Sequence, residues 1–312
     1  ETDIHAVRGP FMLENYDIIC FVIEKFLRVL GLLPRSWASR TGSSLGHMAI
    51  IMDRKHRKIV YGNLSSAFGD TKTSAEIRLL ARQVFENLGK LMFEIGWALR
   101  LERKQFERHF RLVGLSNLQA AFKKGKGVLA LTAHVGNWEL LTNIAAMTGY
   151  PLSIVVRPLD FGPLEAFFTA FRTRFGGNLI PTKYSMRAVL RSLKKRHMVA
   201  MLLDQNVDWY DGVFVHFFGR LACTNKGMAL LAMKTEAPVV PVFLVRDKLG
   251  FQAEFGPEIP LVKTGDKTKD VEMNTQQYND VIEAFIRRYP DQWFWVHQRW
   301  KTRPYKPWPR KD

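Results

Sequence analysis

Residues 128–139 of this chain read VLALTAHVGNWE and join a short apolar run to a helical pattern. The run Val128–Leu131 is continuously apolar, which is typical of a buried strand. Gly136 suits a turn, and Asn137 is a good N-cap for a helix that starts at Trp138. The stretch therefore predicts a strand, a turn and a helix, the succession from which α/β sheets are built.

A histidine and a carboxylate, His134 and Glu139, flank this turn. On one continuous helix they would lie about 140° apart around the axis and about 7.5 Å apart along it, so they would not meet. The turn places Glu139 in the first helical turn, where the helix dipole favours negative charge, and His134 at the strand end facing it. A carboxylate that orients a histidine makes it a better general base. A structural histidine and a favourable first-turn charge explain the spacing equally well.

The alternation of strand and helix continues through the rest of the chain. We expect strands near residues 128–133, 152–157, 178–182, 198–203, 213–218, 238–245 and 251–255, and helices near 138–148, 164–175, 186–195, 225–234 and 275–288. The expected fold class is α/β, with a mixed, mostly parallel sheet flanked by helices. His134, Arg157 and Asp204 each follow the carboxyl end of a predicted strand, where sites form in such sheets.

Several side chains near these strand ends are candidates for binding. The carboxylate of Asp204 leaves a buried strand, so it can bind a ligand, orient a base or cap the next turn. Arg157, and the pair Arg172 and Arg174, can hold phosphate or carboxylate groups, because guanidinium groups bind both in a bidentate way. Most such arginines lie on the surface, and we expect this of Arg174.

The segment Ile18–Leu33 is the most membrane-like part of the chain. It is shorter than the roughly 20 apolar residues that a spanning helix needs, and it contains Glu24, Lys25 and Arg28. Pro34 ends it. An interfacial helix therefore fits better than a spanning one, and a helix packed on the domain core fits nearly as well.

Two regions follow from these patterns. We predict a helical, membrane-facing region over residues 1–110, with an interfacial or anchoring helix. An α/β core over residues 111–312 continues from it, and the two form one continuous domain.

The composition limits the partners. The 312 residues include 46 Lys and Arg but 29 Asp and Glu, which gives a formal net charge of +17. Such a charge favours nucleic acid, an anionic membrane, phosphorylated lipid or an acidic carrier protein, without choosing among them. Cys20 and Cys223 form neither a disulfide framework nor a metal motif, so we expect a reducing compartment and no metal site. Glycine-rich phosphate loops, G-x-S-x-G elbows and RNA-binding aromatic signatures are absent from the sequence.

The stretch TAHVGNWE at 132–139 resembles the H-x-x-x-x-D/E block of glycerolipid acyltransferases. Its Asn-Trp-Glu form is typical of the bacterial lipid A late acyltransferases, which transfer lauroyl and myristoyl chains to Kdo-lipid A, and of related phosphatidylinositol mannoside acyltransferases. Six further stretches resemble blocks of that family in the expected order: RKIVYGNLSSAFG, ARQVFENLGKLMFE, VVRPLDFGPLEAFFTAFRTRFGG, LLDQN, FFGRLACTNKGMALLA and YPDQWFWVHQRWK. Together they are specific to the family, though not to one member.

The resemblance implies transfer of an acyl chain from a thioester, on acyl carrier protein or coenzyme A, to a hydroxyl of a lipid A precursor. It implies that His134 is the general base and Glu139 its partner. Arg172 matches a functional arginine, with Arg174 close enough to compete for the role, and Asp204 matches the acidic residue of the Asp-Gln block. The residues expected to bind substrate are Asn137, Arg157, Arg172 and Asp204.

The implied partners are the thioester donor, an anionic glycolipid acceptor and a membrane surface, with no cofactor and no nucleic acid. The implied location is the cytoplasmic face of the inner membrane, either peripheral or anchored through the N-terminal helix. Two alternatives stay open. The acceptor can be another glycolipid, such as a phosphatidylinositol mannoside, or the chain can be a basic nucleic-acid-binding protein in which His134 and Glu139 are structural.

Overall fold

A computed structural model describes residues 10–183, 185–248 and 250–304. The predicted regions 1–110 and 111–312 begin and end outside these residues, at 1–9 and 305–312. Within the described part, helices alone precede residue 110, and every strand follows it. The division of the chain at residue 110 stays a prediction.

Five helices form the N-terminal part. They are α1 (Pro10–Leu30), α2 (Arg35–Met52), α3 (Arg54–Phe68), α4 (Ser74–Ala98) and α5 (Arg103–Arg108). The longest of them, α4, begins with a capping box in which Thr73 and Glu76 satisfy each other's backbone N–H groups. Across the described residues, no helix combines the length and the apolar character needed to cross a membrane.

Helix α2 packs on α4 at backbone contact. A Cβ atom built on Gly46 would lie 2.1 Å from the carbonyl oxygen of Phe85, and one built on Gly89 would lie 2.1 Å from the carbonyl oxygen of Gly42. Real Cβ atoms do not approach carbonyl oxygens so closely, so a larger residue at either position would push the two helices apart. The close packing therefore depends on glycine.

The remaining elements alternate between strand and helix. They are β1 (Phe110–Val113), α6 (Leu115–Lys123), β2 (Val128–Thr132), α7 (Trp138–Leu141), α8 (Ile144–Thr148), β3 (Leu152–Val156), α9 (Gly162–Thr173), β4 (Asn178–Pro181), α10 (Ser185–Lys194), β5 (Met198–Leu202), β6 (Gly212–Phe217), β7 (Arg220–Asn225), α11 (Gly227–Thr235), β8 (Val239–Asp247), β9 (Gly250–Phe255) and α12 (Lys267–Arg288). Seven strands form one sheet in the order β1-β9-β8-β2-β5-β3-β4, and β6 and β7 form a separate hairpin. Within the seven-stranded sheet β8 and β9 are antiparallel, and the other neighbours are parallel. The predicted mixed, mostly parallel sheet is confirmed.

The predicted elements differ from the structure in a few places. The helix expected at 138–148 is broken into α7 and α8, and α12 begins at Lys267 rather than near residue 275. Strands β1 and β7 and helix α6 were not expected. The helix expected at 225–234 begins at Gly227 as α11, because residues 222–225 belong to β7.

The central strand β2 lies between two hydrophobic clusters. Leu129 and Leu131 face one cluster, while Val128 and Ala130 face the other, as the period of two in a strand requires. Strand β2 pairs in register with β5 up to Thr132 and Leu202. The residues two positions beyond this last pair are His134 and Asp204, so the sheet itself brings them to neighbouring places.

Gly136 makes the turn after β2 possible. Its φ of +61° lies in the left-handed region that favours glycine. A Cβ atom there would lie 2.2 Å from the carbonyl oxygen of Leu244 on β8. The turn therefore lies directly against β8, which fixes the position of His134 just before it.

Candidate active site

His134 and Asp204 form a hydrogen-bonded pair where β2 and β5 end. The Nδ1 atom of His134 lies 2.9 Å from Oδ1 of Asp204, and the backbone N–H of His134 donates to Oδ2 at 3.1 Å. The two contacts fix both the ring and the backbone of the histidine. A carboxylate at Nδ1 favours the tautomer in which Nε2 carries no proton and can accept one.

Asp204 is held as a carboxylate by its partners. The side chain is 1% exposed, and Trp293 donates its indole N–H to Oδ2 at 2.7 Å. Burial alone would raise the pKa of Asp204, but the charge of His134 and the hydrogen bonds from His134 and Trp293 outweigh it and lower the pKa below the ordinary value. A charged Asp204 can stabilise the imidazolium that forms when His134 accepts a proton.

The His134 ring is partly open and borders aromatic side chains. Its side chain is 19% exposed. The rings of Trp138 and Phe294 have centroids 5.0 and 6.0 Å from it, and Gln205 Nε2 lies 3.5 Å from Nε2. One edge of the ring is thus buried against Asp204, while Nε2 lies on the side toward Gln205, where a substrate proton can be transferred.

Glu139 pairs with Arg172 and not with His134. The guanidinium Nε and Nη2 of Arg172 donate to the two carboxylate oxygens of Glu139, each at 2.8 Å. A hydrogen bond between Glu139 and His134 is absent from the described contacts, so the expected pairing of these two residues is not confirmed. Helix α7 explains the difference, because Trp138 occupies the side of the helix next to His134. Glu139 is the next residue, about 100° further around the helix, and it contacts α9 instead.

Burial and the contact with Glu139 shift the pKa of Arg172 in opposite directions. Burial alone lowers the pKa of the guanidinium, but the hydrogen bonds and charge of Glu139 raise it above the ordinary value. Both side chains of this pair are about one tenth exposed. The pair is therefore a closed, charged contact between α7 and α9.

The two other arginines differ in exposure. Arg174, expected at the surface, is half-buried and donates to the backbone oxygen of Ala98 at 2.8 Å and to Asn143 Oδ1 at 3.1 Å. Arg157 follows β3 as predicted, and its side chain is 79% exposed, with Asp160 3.7 Å away. Arg157 is thus available to an incoming group, whereas Arg174 holds α9 against the N-terminal helices.

Asn137 lies inside the protein. It precedes α7 as expected, but its side chain does not cap that helix. It is fully buried, and its amide nitrogen donates to the backbone oxygen of Leu91 at 3.2 Å and to Glu94 Oε2 at 2.9 Å. These contacts tie the turn after β2 to α4, so the structure gives Asn137 a positioning role, and direct contact with substrate stays a prediction.

Three residues of the site were missed from the sequence. Trp293, Phe294 and Trp138 are not among the site residues predicted from the sequence. Trp293 follows α12 and its neighbour Phe294 donates its backbone N–H to the carbonyl oxygen of His134 at 3.0 Å. The signal was present in the stretch YPDQWFWVHQRWK at 289–301, which resembles a family block and contains both Trp293 and Phe294.

His297 completes the surroundings of the pair. Its Nε2 accepts the backbone N–H of Asn206 at 2.8 Å. Burial lowers the pKa of His297 to about 4, and the nearby charge of Arg299 acts in the same direction. His297 is therefore neutral in the folded protein near neutral pH.

Comparison with known proteins identifies the family. Residues 11–302 match the family described as bacterial lipid A biosynthesis acyltransferase. The lipid A biosynthesis acyltransferase of Haemophilus influenzae (strain ATCC 51907 / DSM 11121 / KW20 / Rd) is 25% identical over 89% of this chain and 86% of its own. The lipid A biosynthesis palmitoleoyltransferase of Escherichia coli (strain K12) is 27% identical over 84% of each chain. A phosphatidylinositol mannoside acyltransferase of Mycolicibacterium smegmatis is 24% identical over 61% of this chain and 62% of its own. This chain belongs to the bacterial lipid A biosynthesis acyltransferase family and is an O-acyltransferase.

Proposed function

We propose that this acyltransferase moves a fatty acyl chain from an acyl thioester to a hydroxyl group of a lipid A precursor, with His134 as the general base. The family match and the relatives named for lipid A biosynthesis support the acceptor. The donor is a thioester of acyl carrier protein or coenzyme A, and the high positive charge of the chain suits either of these anionic donors.

The reaction needs one proton to move twice. His134 Nε2 takes the proton of the acceptor hydroxyl as its oxygen attacks the thioester carbonyl carbon. The tetrahedral intermediate then collapses, the carbon–sulfur bond breaks, and the imidazolium returns the proton to the leaving thiolate. The products are an ester and a free thiol, and His134 is regenerated.

The pair of His134 and Asp204 is the observation that carries this proposal. Asp204 accepts from Nδ1 and from the backbone N–H of His134, so it orients the ring and balances the imidazolium charge. Glu139 acts at a distance from the transferred proton. Through Arg172 it fixes α7, which begins four residues after His134.

Arg157 is an exposed cation that follows the carboxyl end of β3. Because β3 is the parallel neighbour of β5, Arg157 lies on the same side of the sheet as Asp204. We assign it contact with an anionic group of the donor or acceptor. If the contact is bidentate, Arg157→Lys will not restore the binding lost in Arg157→Ala, because an ammonium cannot reproduce the guanidinium fork.

A direct assay tests the function. The purified protein is given acyl carrier protein thioesters or coenzyme A thioesters, each with a lipid A precursor or a phosphatidylinositol mannoside, and products are followed by mass spectrometry. Acylation of the lipid A precursor is expected. Selective acylation of the mannoside would move the assignment to that acceptor, and retention on DNA without any turnover would favour the nucleic-acid-binding alternative.

The same function requires access to a membrane-bound acceptor. Helices α1 and α2 and the link between them carry large apolar side chains that are exposed to solvent: Phe21, Val22, Phe26, Val29, Leu32, Trp37, Leu45, Met48, Ile51 and Met52. The exposed basic residues Arg54, Lys55 and Lys58 follow directly on α3. We assign this apolar face to the membrane interface, at the cytoplasmic side of the inner membrane, with the basic residues near anionic headgroups.

Three residues next to this apolar face have contacts inside the protein. Leu30 and Leu33 are half-buried, and Leu30 packs against the hydrophobic core. Arg57 donates to the backbone oxygens of Ile50 and Ile51 at the end of α2, at 3.0 and 3.1 Å. They therefore hold the helices in place, and the membrane contact falls to their exposed neighbours.

Vesicle cosedimentation tests this surface. Phe21→Glu and Phe26→Glu should each weaken binding to anionic vesicles by more than tenfold, because a buried phenylalanine contributes about 1.5–3 kcal/mol. Leu79→Glu is the matched control, since Leu79 is an exposed apolar residue on α4. If all three variants and the original protein bind vesicles equally, the apolar face of α1 and α2 does not contact the membrane.

A further inference from the structure

A cavity of about 310 Å³ lies between α2, α4 and the ends of β8 and β9. Three cations, Arg35, Lys90 and Arg246, line it together with the apolar side chains of Phe93 and Trp97. A space of this size is large enough for several waters or for a small anionic group. The cavity is separate from the contacts of His134 with Asp204.

Two of these cations have donors that no protein group uses. Arg246 donates from Nη2 to Glu94 Oε2 at 2.8 Å, and its Nη1 is buried without a hydrogen-bond partner among the described residues. The guanidinium of Arg35 lies over the rings of Trp97 and Phe251, 4.9 and 5.6 Å from their centroids, and no described residue accepts a hydrogen bond from it. The buried Nη1 donor of Arg246 is costly without an acceptor, which favours an anionic ligand, and the exposed Arg35 lines the same cavity.

The third cation, Lys90, faces positive charge. Its nearest hydrogen-bond acceptor is Asn87 Oδ1, a neutral oxygen, at 3.3 Å. Burial lowers the pKa of Lys90, and the charge of Arg246 lowers it further, although the charges of Glu94, Glu86 and Asp291 partly oppose them. An anion between Lys90 and Arg246 would relieve this repulsion.

The carboxylates at the cavity already have partners. Glu94 accepts from Arg246 and from Asn137, and Asp247 pairs with Arg111 on β1. Three cations therefore line the cavity with two carboxylates, of which Glu94 is paired with the cavity cation Arg246 and Asp247 with Arg111 outside the cavity. The N-terminus of α2, which begins at Arg35 without a side-chain cap, adds positive potential at the same wall.

The cavity wall is joined to the turn that carries the general base. Glu94 accepts from Asn137, three residues after His134, at 2.9 Å. The backbone oxygen of Gln292, another wall residue, accepts the N–H of Gly136 at 2.9 Å. A ligand held in the cavity would thus be anchored at a fixed place relative to His134.

We infer that this cavity binds a phosphate group of the lipid acceptor, with Arg35, Lys90 and Arg246 as its ligands. The inference rests on the proposed function, since it names an anchoring point for the acceptor of that reaction. Phosphate suits the site because guanidinium and ammonium groups are its usual protein ligands. A lipid source suits it because Leu33 and α2, which form one wall, continue into the exposed apolar face of α1 and α2.

The first experiment measures phosphate alone. Binding of inorganic phosphate to the full chain is followed by calorimetry in the original protein, in Arg35→Gln with Lys90→Gln, and in a control with Arg78→Gln and Lys123→Gln. Arg78 and Lys123 are exposed and line no part of the cavity. The cavity variant should bind phosphate at least about tenfold more weakly than the control, as expected for lost hydrogen bonds to a charged group. Equal binding in the two variants would overturn the phosphate site, whether or not the protein acylates lipid A.

The second experiment identifies the source of the phosphate. Acylation kinetics are measured with a phosphorylated lipid acceptor and with the same lipid after removal of its phosphates. The cavity variant should raise KM for the phosphorylated lipid by about tenfold, with kcat within about twofold and no change for the dephosphorylated lipid. A rise in KM for the thioester donor instead would overturn the assignment to the acceptor, and equal rises for both lipids would overturn the role of phosphate.

Two further variants separate binding from folding. Arg35→Lys keeps the positive charge, so it should recover part of the phosphate affinity that Arg35→Gln loses. Thermal unfolding of the cavity variant should match that of the control within a few degrees. Should the cavity variant unfold early, Lys90→Gln alone, in which the stacked Arg35 is retained, takes its place in both experiments.

Discussion

Two buried acid–base pairs lie close together in this protein, and they have opposite properties. His134 and Asp204 are 70 residues apart in the chain and meet because β2 and β5 are paired. Glu139 and Arg172 are 33 residues apart and join α7 to α9. The first pair leaves Nε2 of the histidine outside the contact, whereas the second uses both carboxylate oxygens on one guanidinium. One pair can exchange a proton with substrate, whereas in the other both carboxylate oxygens are already bound.

The comparison teaches that sheet neighbours, rather than chain neighbours, provide the carboxylate of such a site. Glu139 is five residues from His134, yet Asp204 reaches its ring. Parallel strands that end at the same level bring the residues after them together, whatever their separation in sequence. The four predictions below test how far the two pairs differ.

The largest effect is expected for His134→Ala. Without the general base, the acceptor hydroxyl keeps its proton, and kcat should fall by about 10²–10⁴-fold. The measurement is steady-state acyl transfer with purified protein, together with circular dichroism to show that the fold is retained. A folded variant that keeps a rate close to the original would remove His134 from the mechanism.

Asp204→Asn should have the next largest effect. The substitution keeps the size of the side chain but removes the charge that balances the imidazolium and fixes its tautomer, so we expect kcat to fall by about 10²-fold or more. KM for the acceptor should change little. If Asp204→Asn were harmless and Glu139→Gln abolished turnover, the roles assigned to the two carboxylates would have to be exchanged.

Glu139→Gln should act on stability more than on rate. Breaking a buried ion pair leaves Arg172 charged and without its counter-ion, which typically costs about 3–5 kcal/mol. Urea unfolding should show this loss, and kcat should fall less than in Asp204→Asn. Arg172→Lys should be destabilising as well, because an ammonium cannot bind both oxygens in the guanidinium geometry. A large fall in kcat at unchanged unfolding free energy would instead support a direct catalytic role for Glu139.

The smallest effect concerns His297, which stands beside the first pair only. Its pKa is about 4 in the folded protein against an ordinary value of 6.5. The unfolded chain therefore binds a proton that the folded one does not, so this residue makes stability fall as the pH drops from about 6.5 to about 4. His297→Gln keeps a hydrogen-bond acceptor for Asn206, and the decline of Tm across this range should become shallower. An identical decline in the two proteins would show that folding does not lower the pKa of His297.

The hydrophobic pattern was sufficient for most of the sheet. All seven strands expected from it are present, because continuous apolar runs such as Val128–Leu131 occur where a strand is covered on both faces. Strand β1 was missed because it is four residues long and its burial is incomplete. Strand β7 was missed because Arg220, Thr224 and Asn225 make it look like a polar turn.

The sequence identified His134, Asp204 and Glu139 as site residues but did not show which of them pair with each other. Position after a strand end identified His134 and Asp204, and family resemblance gave both a function. The sequence could not show that Trp138 would lie beside His134 and direct Glu139 toward α9, since that depends on the rotation of a four-residue helix. Nor could it show that Trp293, 89 residues after Asp204, would donate to its carboxylate.

The glycine contacts between α2 and α4 have a consequence for how this protein tolerates mutation. Helix α4 contains Glu94, whose carboxylate accepts from Asn137 beside the general base, and α2 can approach α4 only where no side chain intervenes. A saturation screen for loss of activity should therefore find Gly46 and Gly89 as intolerant as His134, although neither touches substrate. Inactive variants at these positions would fail because the two helices are too far apart, and not because a catalytic group is lost. A smaller side chain on the facing helix could not restore activity, because the opposing atoms belong to the backbone.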